Sequence, residues 1–197
     1  DENTGVERFR VAVAKQMNLT RPKVGVVANP KRNSDVIVQL SGNITPALSA
    51  KHTMQIDHSK SRTDVMRSII SYQPEIGKVL NLGYRYTRGV LAQYDISGQW
   101  PITKRLRVVA RKNYSLRDTR DLSELVGLEY NACCWTVRFV SQKLRTSNTR
   151  TNTTFFLQLE LGGIMQIGSD PLKILTRGIP GYTNLDGRRN ENNDELR

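Results

Sequence analysis

Two neighbouring cysteines, Cys133 and Cys134, carry the most distinctive chemistry in this chain of 197 residues. Adjacent side chains point apart along an extended backbone, whereas a disulfide needs two Cβ atoms that face each other at about 4 Å. We therefore expect any disulfide to join Cys133 or Cys134 to a cysteine elsewhere, such as one outside this chain. The alternative is that both are small buried residues, because free cysteine is often buried.

Other residues that could bind a metal or perform catalysis lack a suitable arrangement. His52 and His58 are far in sequence from the cysteines, and no ligand-type spacing links them, so neither a metal site nor a cofactor site is expected. No nucleophile and carboxylate accompany the histidines, and Gly162-Gly163 is not a phosphate-binding loop. The sequence therefore argues against an enzyme.

The positive charge of the chain indicates an anionic partner. Thirty Lys and Arg against 18 Asp and Glu give a net charge of +12, which suits nucleic acid or a phosphorylated lipid. Five arginines stand opposite apolar residues in alternating segments, and arginine forms bidentate contacts with phosphate. The alternative is that they form ion pairs with Asp95, Glu129 and Glu160 or contact another protein. The five are Arg85, Arg105, Arg107, Arg111 and Arg138.

The elements that position these residues are predicted to be strands, because apolar and polar residues alternate almost throughout. In Lys78 to Thr87, for example, Leu80 and Leu82 fall on one face and Asn81 on the other. No helical stretch separates the segments, so we predict an antiparallel meander of ten strands. Segments of nine to eleven residues are the length that a tilted strand needs to cross a bilayer. Their approximate ranges are 7–17, 34–44, 48–58, 65–73, 78–87, 90–100, 105–114, 122–131, 135–142 and 155–161.

The links between these segments support an outer-membrane β-barrel. Links at 45–47, 74–76, 101–103 and 132–133 are short, whereas 18–33, 58–64, 115–121 and 145–152 are longer and polar. Short and long links alternate with one exception, the short link at Arg88-Gly89. Such barrels have short periplasmic turns and longer outer loops, so the fold class predicted is an all-β, antiparallel transmembrane barrel. The cysteine pair would then lie on the periplasmic side, where disulfides persist.

The two ends of the chain are predicted to differ from the strands. The chain starts at Asp1 without a secretion leader, so we expect it to be a piece of a longer protein. Residues 1–163 are assigned to the strands, and residues 164–197 to a periplasmic tail in which the alternation is lost. The last dozen residues, Asp186 to Arg197, are nearly all polar and are expected to be disordered.

Several stretches resemble the C-terminal domain of the LptD family of lipopolysaccharide-assembly proteins, also called organic-solvent-tolerance proteins. The most specific is Val126 to Arg138, VGLEYNACCWTVR, which is similar to two strands of that family and the cysteine pair between them. Phe155 to Gly162 resembles the last strand, and Ile179 to Tyr182 resembles the closing segment. The similarity extends to about Tyr182.

This resemblance implies a role in the biogenesis of the outer membrane. Members of the family form a barrel of about 26 strands, at the large end of such barrels, of which this chain would be the C-terminal part. They carry lipopolysaccharide to the outer leaflet, hold the lipoprotein LptE as a plug, and meet the periplasmic bridge protein LptA through an N-terminal domain absent here. Their adjacent cysteines form long-range disulfides, a role that would fall to Cys133 and Cys134.

The resemblance also implies that the last predicted strand is one side of a lateral gate, through which the acyl chains of the lipid enter the membrane. The residues concerned are Phe155, Leu157, Leu159 and Leu161. The alternative is an ordinary barrel strand that is fully paired on both edges.

Two other functions compete with this interpretation. One is another outer-membrane barrel, such as a porin-like channel, from which only the cysteine pair and the terminal motifs distinguish the chain. The other is a soluble basic β-sheet protein that binds nucleic acid, which would interleave aromatic and basic residues on one exposed face. Here most aromatic residues share a face with Leu and Val and oppose the arginines.

Overall fold

The computed structural model describes most of the chain. Several predictions, those for Cys133, His58, Gly162-Gly163 and the disorder of Asp186 to Arg197, lie outside the described residues. The described ranges are 8–16, 35–57, 62–132, 134–146, 150–161 and 165–184.

These residues form a single antiparallel sheet of 11 strands whose order follows the chain. The prediction of an all-β antiparallel meander is confirmed, and the ten predicted strands are present within a few residues of the expected bounds. A short eleventh strand and a helix, α1 (Leu172–Gly178), were not predicted. The strands are β1 (Phe9–Gln16), β2 (Asp35–Thr45), β3 (Leu48–Asp57), β4 (Arg62–Glu75), β5 (Lys78–Thr87), β6 (Leu91–Pro101), β7 (Leu106–Ser115), β8 (Arg120–Asn131), β9 (Trp135–Arg145), β10 (Thr151–Leu161) and β11 (Met165–Gly168).

The sheet has two ends that we name by their links. The turn end carries the links after β2, β4, β6 and β8, and the loop end carries those after β1, β3, β5, β7 and β9. Three strands at the loop end begin earlier in the chain than predicted, because polar residues continue the ladders: β4 begins at Arg62, β8 at Arg120 and β10 at Thr151. At the loop end of β4, Arg62 pairs with Asp57 in the ladder. The difference in length between the two sets of links is therefore smaller than predicted.

The register assigns every side chain to one of two faces. The outer face carries large apolar side chains that remain exposed, such as Leu82 (51%) and Val126 (55%). Others of this kind are Leu80, Ile96, Leu128, Phe139, Phe155 and Leu157. The inner face is largely polar from β5 to β10 and contains buried residues, among them Asn81, Gln99, Glu129 and Arg138. Exposed Leu, Ile and Phe side chains on one whole face indicate that this face meets an apolar environment.

Aromatic residues form two rows on the outer face. Tyr84, Tyr94 and Tyr114 are neighbours in the ladder of β5, β6 and β7 toward the loop end, and the last two rings stack at 5.2 Å. A second row at the turn end contains Trp100, Tyr130 and Trp135, of which the last two lie 5.3 Å apart. Along β6 the rows are separated by six residues, or roughly 20 Å at about 3.3 Å per residue. That spacing is close to the apolar band of an outer-membrane barrel.

The residues from Met165 to Asn184, here called the terminal segment, return to the sheet and pack on its inner face. Leu175, Ile179 and Tyr182 form one buried cluster with four inner residues of the sheet, Val79, Val109, Leu125 and Val140. The predicted periplasmic tail therefore begins with residues that belong to the same packed unit as the sheet. The seven-residue helix α1 lies in this segment, and the described helices include none with the length and apolar character of a membrane span.

Gly127 makes this packing possible. A Cβ atom at Gly127 would lie 2.8 Å from Val109 Cγ2 and 2.9 Å from Val140 Cγ2, so one of these core residues would have to move. We expect Gly127→Ala to destabilise the folded protein by about 1–3 kcal/mol, the usual result of overpacking. The measurement is the temperature at which the full-length protein loses its compact form on gels.

Gly83→Ala is the matched control for this prediction. Its Cβ would meet Asp95 at 3.6 Å, an ordinary contact, so the transition temperature should stay close to that of the unchanged protein. Equal transition temperatures for the two variants would contradict the packing described here.

Candidate functional site: the inner face and the edge of β10

The inner face is organised around Arg138 of β9, which is 1% exposed. Its Nη1 donates to Gln158 Oε1 at 2.8 Å and to Glu160 Oε2 at 2.9 Å, both on β10. Its Nε lies 3.4 Å from Glu129 Oε1 on β8. Three strands thus meet at one buried guanidinium. A buried charge of this kind is tolerated only when it is paired, so the arrangement depends on both carboxylates.

The terminal segment completes this cluster. Arg138 Nη2 donates to Asn184 Oδ1 at 3.0 Å, and the Tyr182 hydroxyl donates to Glu129 Oε1. Burial raises the pKa of the Tyr182 phenol, and the negative charge of Glu129 raises it further. The phenol is therefore held in its neutral form, in which it can donate to the carboxylate.

Amide side chains of the sheet hold the backbone of the same segment. Gln99 of β6 accepts from the Thr183 N–H at 3.0 Å and donates to its carbonyl oxygen at 3.0 Å. Asn81 of β5 donates to the Pro180 carbonyl oxygen at 2.8 Å. This part of the inner face is consequently a binding site whose occupant is the chain's own segment from Pro180 to Asn184.

The five predicted luminal arginines lie in different surroundings. Arg111 forms the ion pair with Asp95 that was considered as the alternative, at 2.7 Å, and Arg138 pairs with two glutamates. Arg85 and Arg107 occupy the inner face of β5 and β7, whereas Arg105 precedes β7 in the turn. Contact of these arginines with lipid phosphate or with a plug stays a prediction.

Arg85 has a neighbour that the sequence interpretation did not include. Arg67 of β4 is its direct cross-strand partner on the inner face. Two like charges opposite each other are unfavourable unless an anion or solvent screens them. Neither arginine forms an ion pair with another residue in the described part of the chain. The terminal segment is hydrogen-bonded to Asn81, which precedes Arg85 on the same strand, β5. The Arg67–Arg85 pair therefore lies beside the part of the inner face that the terminal segment occupies.

The predicted gate strand, β10, has two different edges. One edge pairs with β9 along the whole strand, from Thr151 to Leu161. The other edge pairs with β11 only from Gln158 to Leu161. Among the described residues, no strand lies along that edge from Thr151 to Phe156. Phe155, Leu157 and Leu161 point to the outer face and are exposed, with Leu159 partly buried between them.

The cysteine turn lies at the turn end between β8 and β9. Cys134 is exposed, and its neighbour Cys133 lies outside the described residues, so the predicted disulfides stay untested. The described residues contain no cluster of His, Cys, Asp and Glu that could hold a metal. His52 is on the outer face, where its Nδ1 lies 2.8 Å from Ser68 Oγ.

Comparison with known proteins identifies the family. Residues 1–106, more than half of the chain, match the family model described as LPS transport system D, LptD. The chain belongs to this family. Its fold fits an outer-membrane protein, because the family is one of outer-membrane β-barrels and the chain provides 11 consecutive antiparallel strands.

The relatives show how much of a family member this chain represents. It is 48% identical over 185 residues to the LPS-assembly protein LptD of Nitrosospira multiformis, covering 92% of this chain and 20% of that protein. The protein of the same name from Nitrosomonas europaea is 42% identical over 186 residues, covering 93% of this chain and 26% of the relative. The chain therefore spans about a fifth to a quarter of these relatives, which are named as assembly proteins and not as enzymes.

Removal of the guanidinium should release the terminal segment. Arg138→Met keeps the side-chain length but leaves Glu129 and Glu160 buried without a cation, at a cost of about 3–5 kcal/mol. We expect trypsin to cleave the full-length variant rapidly after Lys173 and Arg177. Arg85→Met, on the same face but opposite Arg67 and away from the cluster, is the control and should remain resistant. Equal resistance of both variants would show that the ion pairs do not hold the segment.

The attachment of the segment should also weaken at alkaline pH. The pKa of Tyr182 is raised from its ordinary value of 10.0 when the segment is attached. Below pH 10.0 the phenol keeps its proton whether the segment is attached or released, so its hydrogen bond to Glu129 contributes fully to attachment. As the pH rises further, the released segment loses the proton first, which favours release. Protease sensitivity of the segment should therefore increase above that pH, and Tyr182→Phe should remove this component. An identical pH profile for the variant would contradict the assignment.

Proposed function

We propose that this chain forms the C-terminal strands of an outer-membrane barrel that moves lipopolysaccharide from the periplasm to the outer leaflet. The observation that carries the proposal is the division of one sheet into an exposed apolar face and a polar face. Leu82 and Val126 are about half exposed on the outer face, whereas Gln99, Glu129 and Arg138 are buried on the inner one. Hydrocarbon outside and polar cargo inside is the environment that suits both faces.

The polar part of the lipid would move along the inner face. Arg67 and Arg85 form a pair of like charges there, and an anionic phosphate would relieve their repulsion through charge-assisted hydrogen bonds. Arg107 lies on the same face nearer the turn end. Arg111 and Arg138 already have carboxylate partners. We therefore assign these two arginines to holding neighbouring strands together rather than to binding the lipid.

The acyl chains would leave through a lateral gate at β10. Supporting this role, the edge of β10 away from β9 is paired over only four residues, Gln158 to Leu161. A strand edge in a bilayer must be paired, because unpaired backbone groups have no water to bind there. In the longer protein another strand would therefore meet this edge, and a short contact would open at a lower cost than a long one.

The remaining assignments follow from the family. The turn end and the terminal segment would lie on the periplasmic side, where Cys133 and Cys134 would form disulfides with cysteines outside this chain. The lipoprotein LptE would fill the barrel as a plug, and LptA would deliver lipid through the N-terminal domain. Lys112 is the one cation of β7 on the outer face, and it is paired with Asp121 at 3.0 Å and Glu124 at 3.3 Å. This pairing lowers the free-energy cost of placing its charge near the hydrocarbon layer.

The experiment is to replace the full-length protein in cells by variants and measure how fast newly made lipopolysaccharide reaches the cell surface. Loss of the protein should stop surface delivery. The double variant Arg67→Gln/Arg85→Gln should slow delivery by roughly 3- to 10-fold, because a solvated arginine–phosphate contact contributes about 1 kcal/mol.

Lys104→Gln, in the turn before β7, serves as the control and should leave delivery unchanged. Normal delivery without the protein would refute the transport function. Normal delivery by the double variant, with normal protein levels, would refute only the role of the arginine pair.

A further inference from the structure

The terminal segment binds the lower half of β10, the half nearest the turn end, from two directions. At the edge, β11 pairs with Gln158, Leu159, Glu160 and Leu161. Above this pairing, the Ser169 N–H donates to the Leu157 carbonyl oxygen at 3.0 Å, and the Leu157 N–H donates to Ser169 Oγ at 3.0 Å. The segment therefore closes the edge from Leu157 to Leu161 with backbone and side-chain hydrogen bonds.

The same part of β10 is also held from the inner face. Gln158 and Glu160 are 0% and 3% exposed, and both accept hydrogen bonds from Arg138. Arg138 is in turn bound by Asn184, at the far end of the terminal segment. One continuous stretch of chain thus begins on the edge of β10 and ends on the cluster that fixes the inner side chains of the same residues.

The upper half of β10 lacks both restraints. Residues Thr151 to Phe155 are exposed, and among the described residues only β9 pairs with this half. Its inner side chains Asn152 and Thr154 are exposed, whereas Gln158 and Glu160 in the lower half are buried. Strand sections with few buried contacts and few bonds open at lower free energy than fixed ones.

We propose that the terminal segment acts as a latch, which keeps the lower half of the gate strand closed and confines its opening to the upper half, from Thr151 to Phe156. This inference rests on the proposed function, in which β10 is one side of the gate. It adds where the gate opens: at the loop end, next to the outer leaflet that receives the acyl chains. It also gives the terminal segment a role in transport.

Gly168 offers a way to release the latch. Its φ of +100° is unfavourable for other residues, and a Cβ there would lie 2.2 Å from the Leu157 carbonyl oxygen. Gly168→Ala should therefore displace the end of β11 from β10. Gly178→Ala is a matched control in the same segment, because its Cβ would meet only the Arg111 side chain at 3.7 Å.

The first test is hydrogen exchange in the full-length protein bound to its plug partner. The amides of residues 158–161 should exchange at least about tenfold more slowly than those of 152–156. Gly168→Ala should remove this difference, whereas Gly178→Ala should preserve it. Equal exchange in the two halves of the unchanged protein, or full protection of residues 158–161 in Gly168→Ala, would overturn the latch.

The second test asks whether the lower half has to open. Leu159 and Ile167 are direct partners in the β10–β11 ladder, so Leu159→Cys/Ile167→Cys can be oxidised to a tether, verified by peptide mass spectrometry. Delivery of lipopolysaccharide to the cell surface should be the same in this oxidised variant as in the single variant Leu159→Cys, which has the same proposed native disulfides but no tether. Delivery that stops only in the tethered variant would overturn the latch. If cells lacking the protein deliver lipopolysaccharide normally, the proposed function itself fails, whatever the exchange pattern.

Discussion

The pairing of strands in strict chain order is the constraint on which the rest of the structure depends. Each strand is hydrogen-bonded to the next one in a fixed register. Leu82 on β5 and Ile96 on β6 are direct partners in this register, so their side chains lie on the same face of the sheet. A slip of one residue would exchange the faces of a whole strand. Because the ladder prevents this, apolar side chains collect on the outer face and polar ones on the inner face.

A polar inner face creates a second requirement, since its charges must be paired wherever they are shielded from water. Arg138 satisfies this requirement by joining Glu129 on β8 to Glu160 on β10. The terminal segment shields this cluster and supplies Tyr182 and Asn184 to it. Folding of the last strands and attachment of the segment are thus coupled, and the least restrained part of the sheet's end is the upper half of β10.

Alternation was enough to predict the strands and the faces of Arg85, Arg111 and Arg138, because a period of two is a local property of the chain. The partners of Arg138 could be proposed for the same reason, since Glu129 and Glu160 stand on neighbouring strands. The position of the terminal segment could not be predicted. Asn184 is 46 residues from Arg138 in sequence, and the apolar residues of this Gly- and Pro-containing stretch follow no period of two that would indicate where it packs. The short strand β11 has only four residues, too few for a clear pattern.

The most direct test of the two-faced sheet is a spin-label scan along β8 in the full-length protein in lipid vesicles. Labels at Val126 and Leu128 should collide readily with oxygen, which concentrates in hydrocarbon, and poorly with a water-soluble nickel complex. Labels at Ser123 and Leu125, which lie on the inner face of the same strand, should show low oxygen accessibility. Oxygen accessibility should therefore alternate along β8 with a period of two residues. Ready collision of the nickel complex with Val126 and Leu128 would show that the outer face meets water, and would contradict it.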